Sequence, residues 1–391
     1  MKKIKVLNIV TVVEDGGLEM LIYKIYKGLN KDLFQLDLCI LTKMDRESFI
    51  FKDFKELGCN LYNLKFKNRN IGLSGFISNL NEIIKLSSII RNNEYEVVHS
   101  HDFFPAFFAR LAVILSRIMF SDYPHKVFVT YHNIYYWLKK PHRLINKLLS
   151  YFTNRIICVS ESAKIDSLKT EKITENKYKV IYNGLDPTEF YKDNNLRIVT
   201  RKEYGYSEND FIIGNVGVLS VRKGQIYLLK AFNEVKDKYP DLKLLIAGSI
   251  RTHEIDVYNE ILFFIKNNYL EDRVKIVEPI KEVNKIYNII DLFVMCSITE
   301  GFGLSAFEHM LTEKRCLFSD IQVFKELTKD GQFGNLFENQ NYLSLADKIT
   351  EEIESYGKNT IDFPKYRTFV VENYNLNKMV KEYEEIYLDS R

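Results

Sequence analysis

At 391 residues the chain is too long for one ordinary core and suits two α/β domains, while 46% hydrophobic and 27% charged residues exclude a disordered chain. Lys and Arg number 55 against 52 Asp and Glu, a net charge of +3 that excludes a global polyanion-binding character and leaves any basic surface local. The five cysteines (Cys39, Cys59, Cys158, Cys296, Cys316) are odd in number, scattered and mostly set in apolar runs, which reads as reduced core thiols of a cytosolic protein with no metal site among them.

The chain begins with basic residues and the apolar run Ile4 to Val10. The run is short, lacks a small-residue cleavage site and leads into Asp15-Gly16-Gly17, so it reads as a buried first strand and not a signal peptide. No apolar stretch approaches bilayer-spanning length, and a cytoplasmic protein with at most peripheral membrane contact is expected. Short apolar runs then alternate with helical-period segments, the pattern of parallel sheets with crossover helices. Strands are predicted near 4–10, 34–41, 59–64, 96–99, 126–131, 155–159 and 179–182, with Tyr191 to Asn195 as a linker. A second series follows near 211–216, 242–247, 273–277, 291–295 and 315–318. Met379, Tyr383, Ile386 and Tyr387 at helical spacing predict a closing helix. The expected architecture is two Rossmann-like doubly wound domains, 1–190 and 191–375, facing a central cleft, with the helix at 376–391 packing back on the first.

Five segments carry candidate chemistry. Gly16-Gly17 follows the first strand and precedes a helix from about Met20; paired glycines let a backbone approach phosphate, although a plain βα turn needs them equally. Val97 to Asp102 places His99, His101 and Asp102 just past a strand end, the edge that faces ligands in open parallel sheets. His99 reads as structural, while His101 reads equally as helix-capping or ligand-facing. His132, after the strand ending at Tyr131, is placed to meet a sugar hydroxyl, or else is structural. Arg222-Lys223-Gly224 joins a strand to a helix beginning near Gln225 and sets cations where a pyrophosphate would need them, or is a solvated pair. The segment Glu300-Gly301-Phe302-Gly303-Leu304-Ser305-Ala306-Phe307-Glu308, directly behind an apolar strand, is the most specific. Its glycines leave backbone N–H groups at a helix start, Glu308 lies about one turn inside that helix within reach of a ribose, and Glu300 faces the sugar side.

In family order, Gly16-Gly17-Leu18-Glu19, Val97 to His101, Thr130 to Asn133, Val180 to Asp186, Lys223-Gly224 and the E-x7-E run from Glu300 to Glu308 resemble the family 4 retaining glycosyltransferases of the GT-B fold. The resemblance implies that Glu308 binds the ribose hydroxyls and that Glu300 lies by the donor sugar. It places the N–H groups around Phe302, Gly303 and Leu304 near sugar and phosphate, Lys223 on the diphosphate, and His132 beside the sugar, with Gly16 and Gly17 lining the diphosphate side of the cleft. His132, Glu300 and Lys223 are the catalytic candidates, and Arg222 joins the donor-binding set. His101 and Asp102 are acceptor-side candidates. It further implies retention of anomeric configuration, no cofactor, no divalent metal, and UDP as the usual nucleotide. One departure stands out: the arginine of the family's Gly-Arg-Leu is Val218 here, and Arg222 is the candidate substitute.

Tyr135 to Leu149 mixes aromatic, aliphatic and basic residues, a composition suited either to an anionic lipid surface or to an ordinary amphipathic helix. The expected acceptor is a lipid-linked or surface glycan of bacterial polysaccharide or lipopolysaccharide synthesis, with no nucleic-acid partner. A sugar-nucleotide epimerase and a catalytically weak nucleotide-sugar-binding subunit are the alternatives.

Overall fold

The computed structural model describes residues 2–67, 73–119, 126–135, 138–251, 254–358 and 363–389. The chain divides into two compact units, Met1–Gly184 with Leu376–Arg391, and Leu185–Asn375. Each contains one wholly parallel sheet.

The first unit runs β1 (Ile4–Val10), α1 (Gly17–Gly28), β2 (Phe34–Ile40), α2 (Phe49–Glu56), β3 (Leu61–Asn63), α3 (Leu73–Asn92), β4 (Val97–His101), α4 (Phe103–Met119), β5 (Lys126–Tyr131), α5 (Lys140–Ser150), β6 (Arg155–Cys158), α6 (Glu161–Glu171) and β7 (Tyr178–Val180). Its strands lie in the order β3-β2-β1-β4-β5-β6-β7. Both faces are covered, so successive β1 residues serve different cores: Val6 and Val10 pack with α1 and α2, while Leu7 and Ile9 pack with α3 and α4. This explains why the strands read as continuous apolar runs and not as alternating ones.

The second unit runs α7 (Asn194–Glu203), β8 (Phe211–Val216), α8 (Gln225–Val235), β9 (Leu242–Ala247), α9 (Ile255–Asn267), β10 (Val274–Val277), α10 (Asn284–Ile289), β11 (Leu292–Met295), α11 (Leu304–Met310), β12 (Arg315–Ser319), α12 (Gln322–Leu327), β13 (Asn335–Phe337), α13 (Tyr342–Glu354) and α14 (Phe363–Asn373). The order is β10-β9-β8-β11-β12-β13. The three-residue edge strand β13 adds to the strands expected from the sequence, being too short to carry a period. The closing helix α15 (Leu376–Leu388) returns to the first unit, where Met379, Val380, Tyr383, Ile386 and Tyr387 join the core of α1 and β1.

Two sequence expectations change. Tyr191 to Asn195 is no free linker: the backbone N–H of Asp193 donates to Asn288 Oδ1 at 2.8 Å and that of Tyr191 to Asn284 Oδ1 at 3.3 Å, pinning the segment on α10. The changeover falls earlier, at Gly184–Leu185, where Leu185 N–H donates to Tyr374 O at 2.8 Å. Secondly, β4 extends through His101. His99 is therefore inside the sheet, paired with Asn8 of β1, and His101 is the last strand residue, paired with Thr130.

Candidate functional site

In each sheet the strand order reverses beside the first strand of the unit, between β1 and β4 and between β8 and β11. Consecutive crossovers leave such a switch point in opposite directions, which opens a crevice at the carboxyl edge of the strands. The candidate residues of each unit collect there.

In the first unit three histidines line up along β4 and the turn after β5. His99 is fully buried, its Nδ1 2.7 Å from Tyr387 Oη and its Nε2 2.7 Å from Thr130 Oγ1; burial, reinforced by His132, pushes its pKa down to about 3. His99 is thus structural, tying α15 to the sheet. His101 is equally buried, with Nε2 2.9 Å from Asn8 Oδ1 and Nδ1 3.0 Å from His132 Nε2. With both nitrogens engaged, it is not placed to touch an acceptor and instead supports His132. Asp102 lies at the start of α4 with φ +71°, where its carboxylate Oδ1 accepts the backbone N–H of His132 at 3.2 Å and the hydroxyl of Tyr135. It, too, holds the His132 turn. Burial keeps both His101 and His132 below the usual histidine pKa, against an upward pull from Asp102 on His132, so the pair is neutral near pH 7. Gly16 and Gly17 open α1 with no need of glycine for backbone reasons, Gly16 having φ −132°. A Cβ on Gly17 would meet nothing within 4 Å.

In the second unit the loop after β8 and the loop after β11 interlock. Ile298 N–H donates to Arg222 O at 2.8 Å, and Cys296 Sγ lies 3.3 Å from Lys223 O. Gly224, at φ +66°, must be glycine: a Cβ there would stand 2.3 Å from Cys296 O. This close approach brings Arg222 Nη1 to 2.8 Å from Glu300 Oε1 and Lys223 Nζ to 2.8 Å from Glu300 Oε2, while Ser297 Oγ donates to Oε2 at 3.2 Å. Burial by itself would raise the Glu300 pKa, but the Arg222 and Lys223 cations and their hydrogen bonds hold it down at about 2. A unit charge pair at 4 Å is worth roughly 4 kcal/mol at an effective dielectric of about 20, and two such pairs exceed the several kcal/mol that burying one carboxylate costs. Glu300 is therefore an anion at every physiological pH and no general base.

Gly303 precedes α11 at φ +89°, with the Phe324 ring where a Cβ would fall, at 2.7 Å. The left-handed turn lets the chain pass from Phe302, buried against Phe307 and Tyr374, into Leu304 and α11. Glu308 lies in the second turn of this helix, half-buried, and its Oε2 accepts the hydroxyl of Tyr287 at 2.6 Å. Val218 sits ahead of the Arg222 turn, its carbonyl accepting from Gln225 Nε2 at 3.1 Å.

The structure thus brings together Arg222, Lys223 and Glu300, and separately His101, Asp102 and His132. It adds Asn8 and Tyr287, which sequence reasoning missed. A single polar residue in the apolar run Val6 to Val10 is a usable signal for Asn8; Tyr287 sits in an ordinary helical pattern and offers none. Of the stretch 135–149, Tyr136 and Trp137 lie outside the described residues. Its helix α5 buries Asn146 and Leu149 and leaves Leu144 and Leu148 exposed beside Lys140 and Lys147. No helix among the described residues is long and apolar enough to cross a membrane.

Comparison with known proteins agrees along the chain. The family description Glycosyltransferase Family 4 matches residues 15–189, and Glycosyl transferases group 1 matches 197–366. The Escherichia coli UDP-Gal:alpha-D-GlcNAc-diphosphoundecaprenol alpha-1,3-galactosyltransferase is 23% identical over 99% of this chain and 97% of its own. Among solved structures, Anabaena HepE in complex with UDP-glucose superposes with a TM-score of 0.84 at 19% identity, covering 99% of this chain and 100% of that one. A glycosyltransferase from Rickettsia africae gives a TM-score of 0.82 at 21% identity, covering 100% and 99%. With two parallel α/β units, the E-x7-E segment behind β11 and both family descriptions matched in order, the chain belongs to the family 4, group 1 glycosyltransferases of the GT-B fold.

Proposed function

We propose that this glycosyltransferase moves a sugar from a UDP-sugar, with retention and without a metal or other cofactor, onto a lipid-linked or surface-glycan acceptor in bacterial polysaccharide synthesis. The observation that carries this reading is the Arg222–Glu300–Lys223 cluster at the switch point of the second sheet. Its two cations supply the charge that a departing diphosphate needs, and they are already ordered by Glu300. Lys223 takes the diphosphate and Arg222 stands in for the arginine replaced by Val218. Glu300, permanently ionised, accepts hydrogen bonds from the donor sugar. Glu308 accepts the ribose hydroxyls, and the backbone around Phe302, Gly303 and Leu304 faces sugar and phosphate. In the first unit the Gly16-Gly17 turn admits phosphate to the start of α1, and neutral His132 bonds a sugar hydroxyl.

Transfer follows a front-face course. The bond from the anomeric carbon to the diphosphate oxygen breaks, the acceptor oxygen bonds to that carbon on the same face, and the acceptor proton passes to the departing phosphate. The proposal of UDP and of a lipid-linked acceptor is supported by the E. coli relative, whose name gives a UDP-sugar donor and a diphosphoundecaprenol acceptor. HepE with bound UDP-glucose supports the same nucleotide. The exposed basic and apolar face of α5 supports peripheral contact with the inner face of the cytoplasmic membrane.

The test is a panel of UDP-, GDP- and ADP-sugars with a lipid-linked glycan extract in EDTA, with Glu300→Ala and Glu308→Ala as controls. Transfer from a UDP-sugar that both controls lose supports the reading; donor binding with no transfer to any acceptor replaces it with a nucleotide-sugar-binding subunit.

A further inference from the structure

We infer that Tyr287 is the positioning residue for Glu308, and through it sets the preference of the site for ribonucleotides over 2′-deoxyribonucleotides. The inference rests on the reading of Glu308 as the ribose ligand. A glutamate on a helix has three side-chain torsions, and ordering them costs rotamer freedom. A carboxylate that must meet two adjacent hydroxyls gains affinity if that ordering precedes binding. Tyr287 supplies it: the phenol can only donate to a carboxylate, and it does so at 2.6 Å to Oε2. A carboxylate oxygen carries two lone pairs, so this bond does not exclude a ligand from the same atom.

The phenol is itself immobile. Its side chain is fully buried, with the rings of Phe190, Phe293 and His309 at centroid distances of 5.9, 6.1 and 5.8 Å. The short helix α10 that carries it ends on Lys314, whose half-buried side-chain nitrogen donates to Ile290 O at 2.8 Å, Tyr287 O at 3.3 Å and Asn288 O. An amino group on those carbonyls satisfies acceptors that the helix end leaves open and ties α10 to the residue before β12. Asn288 adds a bond from Nδ2 to Tyr191 O at 3.0 Å. The line Lys314, α10, Tyr287, Glu308 therefore runs through the buried Tyr287 to the carboxylate.

The experiment is calorimetric titration of the purified full chain with UDP and with 2′-deoxy-UDP. The parent is expected to prefer UDP by about tenfold, the size of one charge-assisted hydrogen bond. Tyr287→Phe should cut that preference to less than about threefold while leaving 2′-deoxy-UDP affinity nearly unchanged, a pattern that general loosening of the fold would not give. Glu308→Ala should abolish the preference. If the parent binds neither nucleotide, the UDP reading fails and the inference as stated for UDP with it; if it shows no preference, or keeps it in Glu308→Ala, the ribose reading of Glu308 fails and the inference with it. If Glu308→Ala loses the preference and Tyr287→Phe keeps it whole, the inference alone is overturned. Should Tyr287→Phe not fold, as its melting curve will show, 3-fluorotyrosine placed at 287 keeps the packing and makes the phenol a stronger donor. The preference should then rise, and an unchanged preference overturns the inference.

Discussion

Lys223 Nζ stands 2.8 Å from Oε2 of Glu300, and the two residues come from different loops of the sheet, one after β8 and one after β11. With Arg222 on Oε1, the carboxylate is shared between two cations, and this sharing dictates its response to pH. The folded pKa of about 2 lies below the ordinary 4.5. A depressed carboxyl contributes stability that is present in full above the unfolded value and is lost as pH falls from about 4.5 towards 2. The contribution is on the order of 3 kcal/mol, since each tenfold change in an acid constant is worth about 1.4 kcal/mol. Urea unfolding of the parent and of Glu300→Gln should therefore differ by about that much at pH 6, and the gap should shrink to about 1 kcal/mol near pH 2.5 and close below pH 2. A gap that persists at low pH would show that the ion pairs are not its source.

Arg222→Ala should lower kcat by about 10²- to 10³-fold with a smaller change in KM, the range for removing one donor from a developing oxyanion. Arg222→Lys should recover only part of it, because an ammonium keeps the charge and loses the planar fork. Turnover of Arg222→Ala at the parent rate would remove Arg222 from the diphosphate site.

Gly17 separates fold from function. Nothing lies within 4 Å of a Cβ built there, and the residue opens a helix, so Gly17→Ala should leave the melting temperature unchanged or raise stability by about 0.5–1 kcal/mol. If a phosphate approaches this turn, the added methyl should raise the donor KM at least several-fold. Normal donor kinetics in a fully folded Gly17→Ala protein would leave the glycine as turn chemistry only.

His99 makes the first unit acid-sensitive. Its folded pKa of about 3 lies below the ordinary 6.5, so the unfolded chain takes up a proton that the native one refuses, and stability falls as pH drops from about 6.5 towards 3. Tyr387→Phe, which strips the 2.7 Å partner from His99 Nδ1 and leaves a buried nitrogen unpaired, should cost about 1–3 kcal/mol at pH 7. Denaturant midpoints measured from pH 7 to pH 4 check both statements.

Helix α5 predicts vesicle binding. Leu144 and Leu148 are 61% and 56% exposed on a helix that also presents Lys140 and Lys147, and the chain should float with anionic vesicles and release as salt rises. Leu144→Glu with Leu148→Glu should abolish flotation without loss of fold, since neither side chain is buried. No flotation of the parent would leave α5 an ordinary surface helix.

The apolar runs determined the two parallel sheets by themselves, because a strand covered on both faces must be apolar along its length, and period alone reported it. Gly224 and Gly303 were legible for a similar reason: a backbone close approach at the first and a positive φ at the second tolerate no other residue, so the sequence has to display them. What the sequence left open at Arg222-Lys223, a solvated pair or a phosphate site, was a question of distance between loops, and no local pattern encodes it. The switch between β8 and β11 closed that distance and set Glu300 between the two cations. His101 shows the same division: its place at a strand end was readable, but pairing with Asn8 of β1 and His132 after β5 turned a candidate acceptor contact into a buried support. Local propensity and burial are written in consecutive residues, whereas the ionisation, partners and orientation of a side chain depend on which strands the topology makes neighbours.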